Sequence, residues 1–291
     1  MTTMAEWVEG ARPRTLPAAF SPVIAGTGVA WAIDAFSPVT AVLALVVSVA
    51  LQVGVNYAND YSDGVRGTDA ERVGPMRLVG SGAAPPATVK RAAFACFGVA
   101  AVAGLVIVVL TQLWWLLAVG VACILAAWFY TGGKRPYGYH GLGEVFVFVF
   151  FGLVAVTGTT LVQAGRIPWS ALAAAVSIGS LACAILVANN LRDLVGDRAA
   201  GKHTLATRLG DRGTRAFFVT LLAIAAIGVV VAAGLLGWWC LLGLVFLVPS
   251  IPAVRAVLSG ATGPGLIAVL KTTGVAELLC ALGLAVGCLL V

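Results

Sequence analysis

Long apolar segments follow one another along almost the whole chain, and this pattern limits the fold more than any other feature. Nine segments, each close to the ~20 residues that a helix needs to cross a bilayer, alternate with short polar stretches. Hydrophobic residues make up 60% of the chain and charged residues 10%, whereas soluble domains average about 45–50% and about 25%. The sequence therefore predicts an all-α polytopic membrane protein with one domain over residues 1–291. The predicted spans are 15–33, 39–57, 88–110, 113–130, 142–162, 169–191, 214–235, 238–258 and 266–289.

The distribution of Lys and Arg predicts the orientation of these spans. With nine alternating spans, 17 of the 18 Lys and Arg residues fall on one side, and only Arg166 falls on the other. Cytoplasmic loops carry the excess of positive charge, so the N-terminus is predicted in the cytoplasm and the C-terminus outside. The bias toward Arg, Ala, Val and Gly is typical of a GC-rich bacterial genome. We therefore expect a multi-pass protein of the bacterial inner membrane whose active site faces the cytoplasm.

Polar side chains at helical spacing follow the second predicted span. They stand at offsets 0, 3, 4 and 7, which places all four on one face of a helix: Asn56, Asn59, Asp60 and Asp63. Carboxylate and amide oxygens suit a hard divalent cation, Mg²⁺ first, especially one shared with phosphates. Three arginines then follow in a glycine-rich loop and match phosphate oxygens geometrically: Arg66, Arg72 and Arg77.

A second stretch after the sixth span repeats this chemistry. Asn189, Asp193 and Asp197 are spaced i, i+4 and i+8, and Asn190 also falls near that face. The cations Arg192 and Lys202 stand close by. Two acidic faces at the inner ends of apolar helices favour one shared metal–diphosphate site, although helix ends that simply meet water are the alternative. Their separation by four helices also indicates a weak repeat over about 15–135 and 142–260, followed by a ninth helix at 266–289.

A third polar segment and one intramembrane acid complete the candidates. The segment after the fourth span brings Lys134 beside Tyr130, Tyr137 and Tyr139, whose rings could flank a carbocation or position an aromatic acceptor. Glu277 lies near the middle of the last span. A carboxylate there is a functional candidate by default, but hydrogen bonding within the helix bundle explains it equally well.

The motifs resemble those of a known family. NDYSD at 59–63 and RDLVGD at 192–197 resemble the two Asp-rich motifs of the UbiA-type intramembrane prenyltransferases. Four blocks in this order are similar to the menaquinone-pathway members of that family: RPRTLPAAFSPV, NYANDYSDGVRGTDAERVGPMR, YGYHGLGEVFVFVFFG and NNLRDLVGDRAAGKHTLATRLG. The resemblance implies nine helices around a central cavity and Mg²⁺-dependent transfer of a polyprenyl chain to 1,4-dihydroxy-2-naphthoate. The carboxyl group would leave as CO₂ and the product would be demethylmenaquinol.

The resemblance also implies roles for individual residues. The residues implied to hold Mg²⁺ and diphosphate are Asn56, Asp60, Asp63, Asn189, Asp193 and Asp197, the four aspartates being catalytic. The implied diphosphate contacts are Arg66, Arg72, Arg77, Lys134, Arg192 and Lys202. The residues expected to contact the acceptor or the prenyl cation are Asn59, Tyr130, Tyr137, Tyr139 and Glu277.

Two other functions fit part of the pattern. The same prenyl transfer could use another aromatic acceptor, such as homogentisate or 4-hydroxybenzoate, because the shape of the cavity sets that choice. A transporter of phosphorylated lipid is the alternative from another class. However, the charged residues lie at one face of the membrane, and no series of polar residues leads from them to the outside. Transport by alternating access would need such a path.

Overall fold

The computed structural model describes residues 2–67, 76–133, 136–199 and 201–291, and all regular structure within them is helical. We number the helices in chain order. They are α1 (Met4–Ala11), α2 (Pro17–Ala32), α3 (Pro38–Arg66), α4 (Pro86–Thr111), α5 (Leu116–Phe129), α6 (Gly143–Ala164), α7 (Trp169–Arg192), α8 (Leu194–Ala199), α9 (Leu205–Leu236), α10 (Trp238–Leu258) and α11 (Gly263–Leu289). A short 3₁₀ turn, Tyr137–His140, precedes α6.

Within the described residues, seven helices are long and apolar enough to cross a membrane: α3, α4, α6, α7, α9, α10 and α11. The prediction of an all-α, membrane-spanning chain is therefore confirmed. The first and fourth predicted spans are the shorter helices α2 and α5, which have 16 and 14 residues. Their lengths fall below the ~17–25 residues of a typical crossing helix.

Helix α3 is longer than the sequence pattern predicts. It begins after Ser37 with Pro38 in its first turn and runs on to Arg66, where Gly67 closes it in the left-handed conformation (φ 72°). Proline suits a first turn because its missing N–H has no helical acceptor there, and glycine suits a positive φ. The first Asp-rich motif therefore lies on the last three turns of a membrane helix, where its four polar residues share one face as predicted.

The second motif is interrupted. Helix α7 ends at Arg192, Asp193 stands at its C-cap, and α8 begins at Leu194. The prediction of one continuous helical face from 189 to 197 is therefore wrong. The guanidinium of Arg192 bonds both Asn189 and Asp193 across this end.

The helices form two groups, and the first is built around one central helix. Helix α7 packs against α2, α6, α9 and α11 and is the most buried of the spans. Its approach to α6 is close because glycines face each other: a Cβ on Gly152 would come within 2.7 Å of the Cα of Gly179. A π-helical segment, Phe148–Thr157, runs through the middle of α6. The second group joins α1, α3, α4 and α5, and a cavity lies between the two groups.

Candidate active site

Asp60 is fully buried and fastens a distant segment of the chain. Its Oδ2 accepts a hydrogen bond from the backbone N–H of Leu78 at 2.8 Å, and its Oδ1 accepts one from Val79 at 2.9 Å. Hydrogen bonds from N–H groups to a carboxylate are among the stronger ones in proteins. Asp60 therefore holds the segment at Leu78 and Val79 against α3. If the same carboxylate also binds the metal, as predicted, it has both a structural and a metal-binding role.

Asp63 receives a cation and a phenol from two other segments. The Tyr139 hydroxyl donates to its Oδ1 at 2.6 Å, and the Nη2 of Arg77 lies 3.5 Å from its Oδ2. Asp63 and Arg77 are both buried. Burial first, and then the negative charge of Asp63, raise the pKa of the Tyr139 hydroxyl, so the phenol stays protonated and donates to the carboxylate.

The two asparagines of the first motif line the cavity. The Nδ2 of Asn56 donates to the carbonyl of Ala11 at 2.8 Å and to the Thr15 hydroxyl at 2.9 Å. The Oδ1 of Asn59 accepts from the Thr131 hydroxyl at 2.7 Å. Both amides are thus oriented by polar groups outside α3.

Arg66 holds the loop that follows α5. Its guanidinium donates to the backbone carbonyls of Thr131 and Gly133, and its Cζ lies 5.5 Å from the centre of the Tyr139 ring. Its contact with diphosphate stays a prediction. Arg72 and Lys134, which are also predicted to contact diphosphate, lie outside the described residues.

The carboxylates of the second motif pair with cations of the same stretch. Arg192 contacts both oxygens of Asp193 at 2.7 and 2.6 Å and donates to the Oδ1 of Asn189 at 2.9 Å. The Nζ of Lys202 lies 3.6 Å from the Oδ1 of Asp197. A ligand rich in phosphate oxygens would compete with these carboxylates for the same two cations.

Glu144 lies beside the second motif, although the sequence motifs assigned it no role. It is buried, and its Oε1 accepts from the Nδ2 of Asn190 at 2.9 Å. It thereby ties the start of α6 to the second motif. Its only sequence signal was its position at the start of a predicted helix, which many carboxylates share because they are stabilised near helix N-termini.

The segment around Tyr139 connects the two motifs. The Nζ of Lys202 lies 4.7 Å from the centre of the Tyr139 ring. The backbone N–H of His203 donates to the carbonyl of Tyr139 at 3.0 Å, and Arg208 donates to the carbonyl of His140 at 2.9 Å. Together with the Tyr139–Asp63 bond, these contacts bring the first and second motifs to one place.

An apolar cavity of about 440 Å³ lies between α3, α4, α5 and α6. Its polar groups include Asn56, Asn59, Tyr130 and Tyr137, and the ring of Tyr137 stacks on Phe146 at 3.9 Å between centroids. A mostly apolar wall with a few polar groups is typical of a site for a hydrophobic ligand with one polar end.

Two of the five residues predicted to contact the acceptor or the prenyl cation lie elsewhere. Asn59, Tyr130 and Tyr137 line the cavity, whereas Tyr139 contacts charged groups of the two motifs. Glu277 is fully buried in α11, and within the part of the chain that the structure describes neither of its carboxylate oxygens has a hydrogen-bond partner. It is not part of the cavity lining.

The donor set of the two motifs fits Mg²⁺ shared with a phosphate ligand. The side chains offer carboxylate and amide oxygens, which hard cations prefer. Over residues 2–67, 76–133, 136–199 and 201–291, no three His, Cys, Asp or Glu side chains gather closely enough to hold a metal alone. Magnesium commonly keeps one or two carboxylates and completes its shell with water and substrate phosphate, so the arrangement suits Mg²⁺ carried with diphosphate.

Comparison with known proteins agrees with this geometry. The family model described as the UbiA prenyltransferase family matches residues 19–261. The 1,4-dihydroxy-2-naphthoate octaprenyltransferase of Mycobacterium tuberculosis is 54% identical over 98% of this chain and 97% of its own length. Two solved structures share the fold. A UbiA homolog from Aeropyrum pernix K1 has a TM-score of 0.72 and 16% identity, covering 92% of this chain and 97% of its own. A UbiA homolog from Archaeoglobus fulgidus bound to GPP and Mg²⁺ has a TM-score of 0.66 and 17% identity, covering 98% and 99%.

Proposed function

Because this chain belongs to the UbiA prenyltransferase family, we propose that it transfers a polyprenyl chain from polyprenyl diphosphate to 1,4-dihydroxy-2-naphthoate. The enzyme is a prenyltransferase of menaquinone biosynthesis. The bond between the prenyl C1 and the diphosphate oxygen breaks, and a bond forms between C1 and the ring carbon that carries the carboxyl group. The carboxyl group leaves as CO₂, diphosphate is released, and the product is demethylmenaquinol.

One observation of the structure supports this reaction best. Asp63 and Arg66 of the first motif and Lys202 of the second all lie around Tyr139, and the nearby Tyr137 lines the apolar cavity. A diphosphate head needs the charged groups, and a prenyl chain needs the apolar cavity. A site with this division favours an amphiphilic substrate whose polar head is the leaving group.

Six oxygen-bearing residues would hold Mg²⁺ with the diphosphate: Asn56, Asp60, Asp63, Asn189, Asp193 and Asp197. When bound, the ion neutralises the charge that develops on the departing diphosphate. The chain's own cations add to this effect. Arg77 already lies against Asp63, and Arg192 and Lys202 already lie against carboxylates of the second motif. Arg66, Arg72 and Lys134 complete the proposed set of diphosphate contacts.

The cavity would hold the prenyl chain and the reacting ends of both substrates. Its apolar walls exclude water from an allylic cation, which would otherwise be hydrolysed. The rings of Tyr130 and Tyr137 at its polar end can stabilise such a cation by their π faces. Asn59, fixed by Thr131, would orient the acceptor.

We further propose that α2 and α5 also cross the bilayer, which gives nine spans in a single domain with the N-terminus in the cytoplasm. The segregation of 17 of the 18 Lys and Arg residues supports this topology. The active site would then face the cytoplasm of the bacterial inner membrane. Cysteine labelling from each side of the membrane tests it: a cysteine placed at Arg166 should react only from outside, and labelling from the cytoplasm would contradict the topology.

A competition assay tests the reaction. Purified full-length protein receives Mg²⁺, a polyprenyl diphosphate and equal amounts of dihydroxynaphthoate, 4-hydroxybenzoate and homogentisate. Prenylated naphthoquinol with release of CO₂ is expected. A product from another acceptor would overturn the naphthoate assignment, and binding without release of diphosphate from any acceptor would favour a transporter. The same assay with polyprenyl diphosphates of different chain lengths identifies the preferred donor.

Asp34→Asn is a matched control for carboxylate variants in this assay. Asp34 is exposed, lies at the far end of α2 and adopts a positive φ of 57°. Asparagine tolerates that conformation well, so the substitution removes a charge without straining the backbone. Its activity should equal that of the unmodified protein.

A further inference from the structure

Tyr139 makes contacts with charged groups of both Asp-rich motifs. Its hydroxyl donates to Asp63 of the first motif at 2.6 Å. Its ring centre lies 5.5 Å from the guanidinium carbon of Arg66 and 4.7 Å from the ammonium nitrogen of Lys202 in the second motif. The sequence pattern had assigned this ring to the acceptor or the prenyl cation, but the contacts place it among diphosphate-binding groups instead.

We propose that Tyr139 is a positioning residue that sets the geometry of the Mg²⁺–diphosphate site by orienting Asp63 and by holding Arg66 and Lys202 on one ring. This inference rests on the proposed function, because it names the part of that site on which both motifs depend. Tyr139 acts through the three charged side chains and does not itself contact the reacting carbon.

The hydroxyl has a specific effect on Asp63. Groups that donate hydrogen bonds to a ligating carboxylate fix its orientation, and their loss commonly costs about 10–100-fold in metal affinity. Arg77 approaches the other oxygen of Asp63 at 3.5 Å. Both oxygens of Asp63 are therefore oriented before any metal arrives, each by a side chain from a different segment.

The ring has a separate effect on the cations. Cationic groups within about 6 Å of an aromatic ring centre are attracted to its face. Arg66 and Lys202 belong to different motifs, and their charged groups lie 5.5 and 4.7 Å from the centre of the Tyr139 ring. The ring therefore attracts cations of both motifs to the region where the diphosphate would lie.

The turn that carries Tyr139 is also held through its backbone. The carbonyl of Tyr139 accepts from His203 at 3.0 Å, and the carbonyl of His140 accepts from Arg208 at 2.9 Å. These bonds attach the Tyr137–His140 turn to the second motif through its backbone. Substituting the side chain therefore leaves the turn in place and removes only the hydroxyl or the ring.

Tyr139→Phe isolates the hydroxyl, and Tyr57→Phe is its matched control. Tyr57 lies on α3 beside the first motif, but its hydroxyl donates to the carbonyl of Trp7 at 2.9 Å. The measurement is binding of Mn²⁺, followed by the loss of the free Mn²⁺ EPR signal, in the presence of a non-reactive prenyl thiolodiphosphate. Tyr139→Phe should weaken Mn²⁺ binding about tenfold, and Tyr57→Phe should leave it unchanged. Unchanged or tighter binding in Tyr139→Phe would overturn the proposal.

Tyr139→Leu isolates the ring, and Tyr61→Leu is its matched control. Tyr61 also has a cation over its ring, with the Nζ of Lys90 at 5.5 Å, but that cation belongs to α4. Tyr139→Leu should raise the KM for prenyl diphosphate about tenfold beyond the effect of Tyr139→Phe. The kcat and the KM for the acceptor should change much less. A rise in the acceptor KM alone would place Tyr139 at the acceptor and overturn the inference.

These measurements separate the inference from the proposed function. If the unmodified protein prenylates no acceptor but its Mn²⁺ binding still weakens in Tyr139→Phe, the proposed reaction fails and the role of Tyr139 stands. If the reaction proceeds and neither Tyr139 variant changes Mn²⁺ binding or the donor KM, the role of Tyr139 fails alone. Size-exclusion profiles of all variants establish folding, and because phenylalanine preserves the ring, Tyr139→Phe decides the question if Tyr139→Leu does not fold.

Discussion

The carboxylates at the end of α3 are held by partners far along the chain, whereas those at the end of α7 pair with cations of their own stretch. Asp60 bonds Leu78 and Val79, 18 and 19 residues away, and Asp63 bonds Tyr139, 76 residues away. In the second motif, Arg192 is adjacent to Asp193 and three residues from Asn189. Similar residue types at similar spacing are thus stabilised in two different ways.

This difference in partners indicates that the two motifs respond differently when a ligand binds. Long-range bonds fix the first motif before a ligand binds, because moving Asp60 or Asp63 would disturb other segments. Local ion pairs of the second motif can exchange one partner for another at little cost to the rest of the fold. We therefore expect Arg192 and Lys202 to move from carboxylate to phosphate when the diphosphate binds.

The largest effect is expected from Asp60→Ala. The substitution leaves the N–H groups of Leu78 and Val79 without their carboxylate acceptor, and a buried unsatisfied donor costs about 1–3 kcal/mol. The free energy of unfolding should fall by about 3 kcal/mol or more, and prenyl transfer should be lost. Thermal unfolding in detergent measures the loss of stability. Asp193→Ala should also stop turnover but lower stability less than Asp60→Ala, because the described contacts of its carboxylate are with the neighbouring Arg192. Equal losses of stability in both variants would contradict the proposed difference between the two motifs.

Asp63→Asn should have the next largest effect, and it should lower turnover rather than stability. The amide keeps the shape of the side chain and can still accept from Tyr139, so the fold should survive. A neutral group binds Mg²⁺ more weakly, and turnover should fall about 100-fold. Steady-state assays against Asp34→Asn measure the effect, and turnover within about twofold of that control would remove Asp63 from the metal site.

Removing the cations of the second motif should act mainly on donor binding. Arg192→Ala and Lys202→Ala each delete a charge that we expect to transfer to phosphate. The KM for prenyl diphosphate should rise about tenfold, the effect of one charge-assisted hydrogen bond. Stability should change little, because their partners are only partly buried. A large loss of stability with an unchanged KM would make these pairs structural and remove the contrast between the motifs.

The smallest effect is expected from Thr131→Val. The substitution keeps the shape of the side chain but removes the hydroxyl that donates to Asn59. Loss of one neutral hydrogen bond should cost about 1 kcal/mol and lower kcat a few-fold by freeing the asparagine. Thr220→Val is the control, because the Thr220 hydroxyl is exposed and bonds only the Ala216 carbonyl of its own helix. A kcat equal to that of the control would show that Asn59 needs no such orientation.

The sequence predicted much of the fold because the responsible signals are local. Apolar runs long enough for a bilayer predicted the helices, and five of the seven long helices lie within about three residues of the expected bounds. Helix α3 ends at Arg66, well past its predicted span, and α9 begins at Leu205, ahead of its predicted span, with a kink at Gly210. The spacing of the polar residues from Asn56 to Asp63 predicted that the helix continues beyond the apolar run, whereas Arg66 was assigned to the glycine-rich loop that follows. The helix break at Asp193 was missed because the spacing of the polar residues is the same whether or not the helix is interrupted there.

By itself the sequence determined the helical class, the two motifs and the family, because each depends on residue types at short spacing. Only the tertiary structure decided which partner each charged group has. Asp60 anchors a returning segment, and Tyr139 lies between Asp63, Arg66 and Lys202. The carboxylates and their partners come from segments up to 76 residues apart. Contacts at that distance arise from helix packing, which no local pattern encodes.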